Sequence, residues 1–467
     1  MLTHDQLARL IDEPAARSEV SATEVVETLF ARIEALDPSI NAFISVTPEL
    51  ALADARRVDA ARAAGKPLPL DGLPLAVKDN IDVAGLITTM ASRFFLENVA
   101  ERDAVVVERL RAGGAIVLGK TNLHELAFGA TTANPPPFGI CRNPWNPGRT
   151  TGGSSGGSAS ALAADLCFAA LGTDTGGSIR IPAALNGISG LRPTFGSISN
   201  RGVFPVAATF DTVGPMARDA REVARLHGLM AGFDPADPRA VEHAPPDQDD
   251  PGRGIAGLRI GIPSGFFFES VEPEVEACVR AAATTIADLG ARVTEIELEA
   301  DTSLCAAAAV IVRASALALH RERFDAQPEL FGEEIRRRFE IGDELKAWEL
   351  AASIERTYGW RRSLRDVFEQ VDVIMTPGAR IVAPRIAGAE SISTSWDLTT
   401  LTYPWSCAGV PVLSIPCGFG ADSLPVGLQL VTRDWQERLL FRAAFAYQDA
   451  TDWHRRRAPL ARSIHEQ

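Results

Sequence analysis

Side chains suited to acyl transfer sit in and beside two glycine-rich turns. Residues 150–180 read TTGGSSGGSASALAADLCFAALGTDTGGSIR, two glycine–serine turns joined by an alanine-rich helical run. Glycine this dense, next to hydroxyl groups, implies backbone N–H groups crowded around a small reacting centre. A long exposed linker would not alternate with Ala, Leu and Phe in this way. Upstream, Lys78 closes the apolar run LPLAV. Together these pieces supply a nucleophile, a proton relay and a base, the parts of a serine hydrolase that uses lysine in place of histidine.

The elements that must hold these groups can be read from periodicity. Thr3 with Gln6, and Ser21 with Glu24, have capping-box spacing ahead of apolar periodic runs. Val25, Leu29, Ile33 and Leu36 share one helical face, and Asp37-Pro38 is expected to break that helix before 41–46. A further helix is expected over 48–64. Residues 73–77 read as a strand with Lys78 at its end, 104–112 as a helix and 115–118 as a buried strand. Strands over 258–262, 292–298, 371–375 and 412–415, a helix over 274–289 and a mainly helical stretch over 303–368 continue the pattern. The alternation argues for an α/β layer structure. The Pro/Asp-rich stretch 233–254 reads as a surface crossing or an internal boundary.

At 467 residues the chain can bury a large core, and its 46% hydrophobic and 23% charged residues are ordinary for a globular protein. A net charge of −14 with no long Lys/Arg run argues against a phosphate-backbone partner. The Arg455 to Arg457 cluster reads as solvation or salt bridging. The first residues, MLTHDQLARLIDE, lack the basic-then-apolar pattern of a secretory signal. The tract around 159–171 is too short for a membrane span and carries Asp165. A cytoplasmic location is therefore expected. Cys141, Cys167, Cys278, Cys305, Cys407 and Cys417 contain no CxxC pair, so reduced, mostly buried thiols are expected in place of a disulfide framework or zinc site.

Two motif matches fail on context. Residues 114–121, GAIVLGKT, fit the phosphate-loop pattern, but AIVL is a buried-strand sequence and cannot serve as a flexible N–H cradle. Lys120 is then expected at a strand exit, solvated or touching the next loop. Residues 152–156 fit GxSxG, yet turn material at 146–151 precedes them, where the nucleophile elbow needs a strand. The histidines available to it, His454 and His465, lie in a polar tail. His124-Glu125 has no HExxH context and is assigned to structure.

What survives resembles the amidase signature family, which hydrolyses carboxamides with a Ser–cis-Ser–Lys triad. The resemblance rests on LPLAVKDN at 73–80, KTNLHELAFG at 120–129, NPWNPGRTTGGSSGGSASALAA at 143–164 and ALGTDTGGSIRIPAA at 170–184. It continues through GISGLRPTFGSIS at 187–199, DTVGPMARD at 211–219 and SLPVGLQLV at 423–431. It is dense from about 70 to 230, sparser through 260–360, and returns near 370–445. The resemblance implies an α/β fold with a large mixed twisted sheet covered by helices on both faces. It also implies one domain over 1–467, comprising a helical region 1–68, a signature core 69–232, the linker 233–254 and a substrate-pocket portion 255–467. It implies Ser178 as acylated nucleophile, Ser154 as bridging serine in a cis link and Lys78 as general base, with Ser155 and Ser158 as supporting hydroxyls. Backbone N–H groups of Thr175, Gly176, Gly177 and Ser178 would form the oxyanion hole, and no metal or cofactor is called for. Thr151 stands where family members commonly have proline.

The residues argue for the same chemistry. An alcohol attacks poorly unless a base takes its proton. Gly176-Gly177 bare the backbone before Ser178, and one oxyanion donor is worth roughly 3–4 kcal/mol. A hydroxyl between Ser178 and Lys78 can both accept and donate. Lys78 must be neutral, so its pKa must fall by roughly 3, or about 4–5 kcal/mol. Burial gives that direction, whereas Asp79 opposes it unless it is occupied elsewhere. Asp174 and Arg180 are expected to pair across the nucleophile turn as scaffold.

The expected reaction converts an amide and water to a carboxylic acid and ammonia or an amine, with esters, carbamates, ureas or hydrazides as further substrates. Phe128, Phe138, Trp348, Trp360 and Trp405 are candidate pocket residues, although core packing is the better reading of each alone. The expected partners are a small-molecule amide and, at most, a second copy, with no nucleic acid and no membrane. A related reading is the amidase component of a glutamine-dependent tRNA amidotransferase, which would need partner subunits and an ammonia tunnel. A noncatalytic scaffold that retains the fold is the alternative from another class.

Overall fold

The computed structural model describes residues 1–243, 253–387 and 391–462. Residues 244–252 of the expected surface crossing, and His465, lie outside the described residues. The strands are, in chain order, β1 (Phe43–Val46), β2 (Pro74–Lys78), β3 (Ile116–Thr121), β4 (Arg142–Asn143), β5 (Asn146–Thr150), β6 (Ala169–Asp174) and β7 (Ser189–Arg192). They continue with β8 (Thr212–Ala217), β9 (Arg259–Pro263), β10 (Arg292–Ile296), β11 (Val373–Pro377), β12 (Val412–Phe419) and β13 (Pro425–Val431). Eleven of them form one mixed sheet in the order β1-β3-β2-β6-β8-β7-β12-β13-β11-β9-β10. At one end β2 runs parallel to β3 and β6, and at the other β9 runs parallel to β10 and β11. Antiparallel pairs join the two ends through β8, β7, β12 and β13. Strands from before and after residue 244 thus share one sheet. Helices cover it, as expected for the α/β class.

Local chemistry explains the elements. Thr3 and Gln6 form a reciprocal capping box, and Ser21 Oγ accepts from the Glu24 N–H at 3.1 Å. The inner strands β2, β3 and β6 are wholly buried, which suits their continuous apolar runs. Leu75, Val77, Ile116, Leu118 and Leu171 belong to one buried cluster. Trp360, Trp405, Phe267 and Phe339 belong to another, where Phe267 stacks on Trp405 at 4.9 Å between centroids.

Several expectations need correction. The helix Ala22–Ile40 runs through Pro38 and ends on Asn41 in the left-handed region. Proline in the last turn removes only one backbone donor, and the Asp37 carboxylate accepts the N–H groups of Ala42 and Phe43 just beyond. The run between the two glycine–serine turns is a helix, Gly156–Ala163, followed by β6. Asn146–Thr150 is a short strand hairpinned with β4 outside the main sheet, so strand does precede Ser154. That strand stops four residues short, and the helix starts at Gly156, beyond the serine. The SLPVGLQLV segment supplies β13.

The helix Thr302–Ala326 is long and apolar enough to cross a membrane by length and composition, unlike the 159–171 tract. Leu304, Ala308, Ile311, Val312 and Ala316 of this helix are buried in the aromatic cluster. Such packing is what a core helix of a folded domain shows. Arg457 reaches Asp12 at 2.7 Å and Asp165 at 3.0 Å, so the basic cluster does salt-bridge.

Candidate active site

β2 places Lys78. Leu75, Ala76 and Val77 pair with Ala169, Ala170 and Leu171 of β6, so the lysine leaves the strand end fully buried. Its Nζ donates to Ser154 Oγ at 2.7 Å and to Thr173 Oγ1 at 2.7 Å. Burial lowers the Lys78 pKa to about 7, against the pull of the Asp174 and Asp211 charges. Asp79 is occupied elsewhere. Its Oδ1 lies 2.9 Å from Lys120 Nζ, and its Oδ2 accepts from the Thr89 N–H at 2.9 Å and from the Thr89 hydroxyl. Lys120 is therefore a fully buried ion-pair partner, not a solvated strand exit, because β3 carries it inward beside β2.

The Gly153–Ser154 peptide bond is cis. Ser155 Oγ donates to the Thr173 carbonyl at 3.2 Å, and Ser158 Oγ to the Leu171 carbonyl at 2.9 Å, which fastens the first glycine–serine loop along β6. Thr151, the departure from proline, is buried, and its carbonyl accepts from Asn186 Nδ2 at 2.7 Å. The two loops are tied directly, since the Ser155 N–H donates to the Ser178 carbonyl at 3.1 Å.

Asp174 organises the second loop. Its carboxylate accepts from the Gly177 N–H at 2.9 Å, the Ile179 N–H at 3.2 Å, and Arg180 Nε and Nη2 at 2.9 Å each. Arg192 Nη1 adds a contact at 3.0 Å. The paired guanidiniums hold Asp174 well below the usual carboxylate range despite its burial. Gly177 has φ +126°, and a Cβ there would lie 2.3 Å from Thr402 Oγ1. The Gly177 N–H is spent on Asp174, which corrects its place in the oxyanion set. Among the described residues, the N–H groups of Thr175, Gly176 and Ser178 have no acceptor, and neither has the Ser178 hydroxyl. Ser178 is 8% exposed at the cavity, whereas Ser154 is fully buried behind it.

Sequence reasoning missed Thr173, Arg192, Thr402 and Gln429. Arg180 Nη1 donates to the Thr402 carbonyl at 3.0 Å and to Gln429 Oε1 at 3.1 Å, which ties β13 to the loop. Asp174→Asn would leave two buried guanidiniums without their shared charge. It is expected to cost about 3–5 kcal/mol of stability and to lower kcat more than KM, as checked by denaturant unfolding and steady-state kinetics.

A cavity of about 460 Å³ opens over Ser178, within the range of small-ligand sites. Phe128, Arg313, Arg338, Trp396 and Tyr403 form parts of its wall. Of the five candidate aromatics, Phe128 alone lines it. Trp360 and Trp405 are buried in the core, and the Trp360 indole donates to the Pro404 carbonyl at 2.7 Å. Phe138 packs in the same cluster, away from the cavity lining, and Trp348 is 69% exposed on the Ala347–Gln370 helix. Residue type alone cannot tell a wall from a core. His124 lies 3.4 Å from Glu334, at a neighbouring cavity of about 450 Å³.

The family model described as Amidase matches residues 24–441. The chain belongs to the amidase signature family. The A-type subunit of glutamyl-tRNA(Gln) amidotransferase from Roseiflexus sp. (strain RS-1) is 42% identical over 474 residues, covering 96% of this chain and 97% of that one. Among solved structures, a chain described with an unexpected vestigial protein complex and the evolutionary origins of an s-triazine catabolic enzyme is 36% identical. Its TM-score is 0.88, and the match covers 96% of this chain and 98% of that one. The A-type subunit of the Thermotoga maritima glutamyl-tRNA(Gln) amidotransferase is 30% identical with TM-score 0.79, covering 96% and 95%.

These relatives overturn the expectation of a chain whose partners are a small amide and at most its own copy, without nucleic acid. They are named as subunits of an enzyme of glutamyl-tRNA(Gln), and one solved relative is described in a protein complex. The charge argument failed because net charge reports the surface of one chain, whereas an assembly can place its phosphate-binding surface on another. This amidase-signature chain is an enzyme of carbon–nitrogen bond hydrolysis.

Proposed function

We propose that this chain is the amide-hydrolysing component of a glutamine-dependent amidotransferase and releases ammonia from the glutamine carboxamide through acyl-Ser178. The near full-length 42% identity to the Roseiflexus amidotransferase chain carries the assignment to that assembly. The 2.7 Å contact between Lys78 and Ser154 supports the chemistry. In this mechanism Ser178 Oγ attacks the carboxamide carbon while its proton passes to Ser154 and the Ser154 proton to neutral Lys78. The oxyanion accepts from the unspent N–H groups of Thr175, Gly176 and Ser178. The relay then reverses: Lys78 returns its proton through Ser154 to the leaving nitrogen, the C–N bond breaks, and ammonia departs. Water attacks the acyl ester with Lys78 again as base, which frees the acid and Ser178.

The test is ammonia release from glutamine by the chain alone and with amidotransferase partner subunits, ATP and glutamyl-tRNA(Gln). Stimulation by these partners and amidation of the tRNA are the expected outcome, and glutamine inert in both settings would overturn the reading. A second reading, a small-molecule amidase within a different complex, is favoured by the TM-score of 0.88 to the s-triazine-related chain, against 0.79 for the Thermotoga chain. Turnover of small amides or ureas with no response to tRNA would select it.

Because the neutral amine must accept the proton, kcat/KM is expected to rise with pH through about 7, where burial has placed Lys78. Below that value it should fall about tenfold per pH unit. A pH–rate profile checks this, and a flat profile from about pH 5 to about pH 8 would count against lysine as base.

A further inference from the structure

Among the described residues, the wall of the Ser178 cavity carries a cation, Arg313, that has no ion-pair partner. Arg313 sits midway along the helix Thr302–Ala326, where it is the first charged residue after Asp301 and the last before His320. Placing a guanidinium in so apolar a helix costs free energy unless something compensates it. Yet among the described residues Arg313 has neither a hydrogen bond nor an ion pair, and it is half-buried. Its neighbours in the cavity differ. Arg338 is neutralised by Glu334 at 2.6 Å, donates to Ser395 Oγ at 3.0 Å and lies over the Phe128 ring. Arg337 and the carboxylate of Asp397 are exposed at the rim.

Tyr403 links Arg313 to the reacting end. Its ring packs against Gly176, where a Cβ would lie 2.5 Å from Tyr403 Cε1. The charges of Arg313 and Arg338 both act on the Tyr403 phenol, whose pKa burial raises. Burial and the Arg338 charge also depress the Arg313 guanidinium, with Tyr403 opposing. One wall therefore runs from Ser178 past Gly176 and Tyr403 to an uncompensated cation.

We infer that Arg313 anchors a carboxylate on the acyl part of the substrate, so that the amide cleaved belongs to a small acid with its free carboxylate remote from the carboxamide. This rests on the hydrolase reading above and adds a residue and a charge requirement to it. An anion supplies the two acceptor oxygens that a guanidinium fork prefers. A neutral amide of the same length would leave Arg313 desolvated and unpaired.

The test uses the full chain with glutaramate (the monoamide of glutaric acid), its methyl ester and butyramide, each followed by ammonia release. Binding of glutarate, followed by titration calorimetry, adds a readout that needs no turnover. Wild-type kcat/KM for glutaramate should exceed that for the ester and butyramide by about 30- to 1000-fold, mostly through KM. Arg313→Gln should erase that preference while changing butyramide turnover only a few-fold, and Arg313→Lys should restore part of it. Equal turnover of acid and ester, or an equal loss for charged and neutral amides in Arg313→Gln, overturns the inference. If no amide is hydrolysed but glutarate binds and Arg313→Gln abolishes binding, the hydrolase reading falls and the anchor stands. Absence of both turnover and glutarate binding overturns the anchor as well.

Discussion

Replacing Ser178 with alanine is expected to lower kcat by roughly 10⁴- to 10⁶-fold, because it removes the hydroxyl that makes the covalent attack. Ser154 is fully buried and bound to Lys78, so it has no approach to the substrate carbon. The alanine variant keeps the Ser155–Ser178 backbone tie and the Asp174 clamp, since neither uses the side chain. Its unfolding midpoint should therefore stay close to that of the wild type. Steady-state ammonia release measures the rate, and intact-mass analysis after a fluorophosphonate probe should show an adduct at Ser178 that disappears in the variant. Full turnover in Ser178→Ala would remove this serine from the mechanism.

Lys78→Met carries the second large effect, in two opposed directions. Loss of a general base is expected to reduce kcat by about 10²- to 10⁴-fold, and to remove the limb of the pH profile near neutrality. Stability should move the other way. A folded-state pKa of about 7, below the ordinary lysine value of 10.5, means that the unfolded chain binds the extra proton between these values. Wild-type stability therefore rises with pH from about 7 to about 10.5, by roughly 4–5 kcal/mol in all from this group. Below about pH 7 that penalty is present in full. Methionine carries no such proton, so the variant should be the more stable protein at about pH 6, with a flatter dependence above about pH 7. Denaturant unfolding on either side of neutrality, at about pH 6 and about pH 9, checks the sign.

Much of the reacting centre was legible because its residues lie in short local motifs. Lys78 closes an apolar strand, and Ser154 and Ser178 each follow paired glycines, so the local motifs flagged the segments and the family resemblance implied the roles. Residues that act across the sheet left no such mark. Arg192 and Gln429 reach the Asp174–Arg180 pair from β7 and β13, and Thr402 caps Gly176 from the end of a distant helix, joined by contacts that no local pattern encodes. Strand β6 was hidden because Ala169, Ala170 and Gly172 have weak strand preference, and burial between β2 and β8 overrides it. The aromatic pocket candidates failed for a geometric reason: a large ring fills a core as readily as it lines a cavity. Arg313 was passed over because one charge in an alanine-rich helix looks like any surface residue until its surroundings are seen.

Asp79 and Lys120 also bear on how such a protein can change over generations. The pair stands beside Lys78, and neither member touches the substrate cavity. Losing Lys120 alone would strand the Asp79 carboxylate as an unpaired anion in the interior. Losing Asp79 alone would strand a second ammonium in the interior. Either step is harmful, whereas Asp79→Asn combined with Lys120→Met removes both charges at once and should recover function that each single exchange forfeits. Lineages are therefore expected to keep or lose these two positions together, and a genetic screen for revertants of one should return the other.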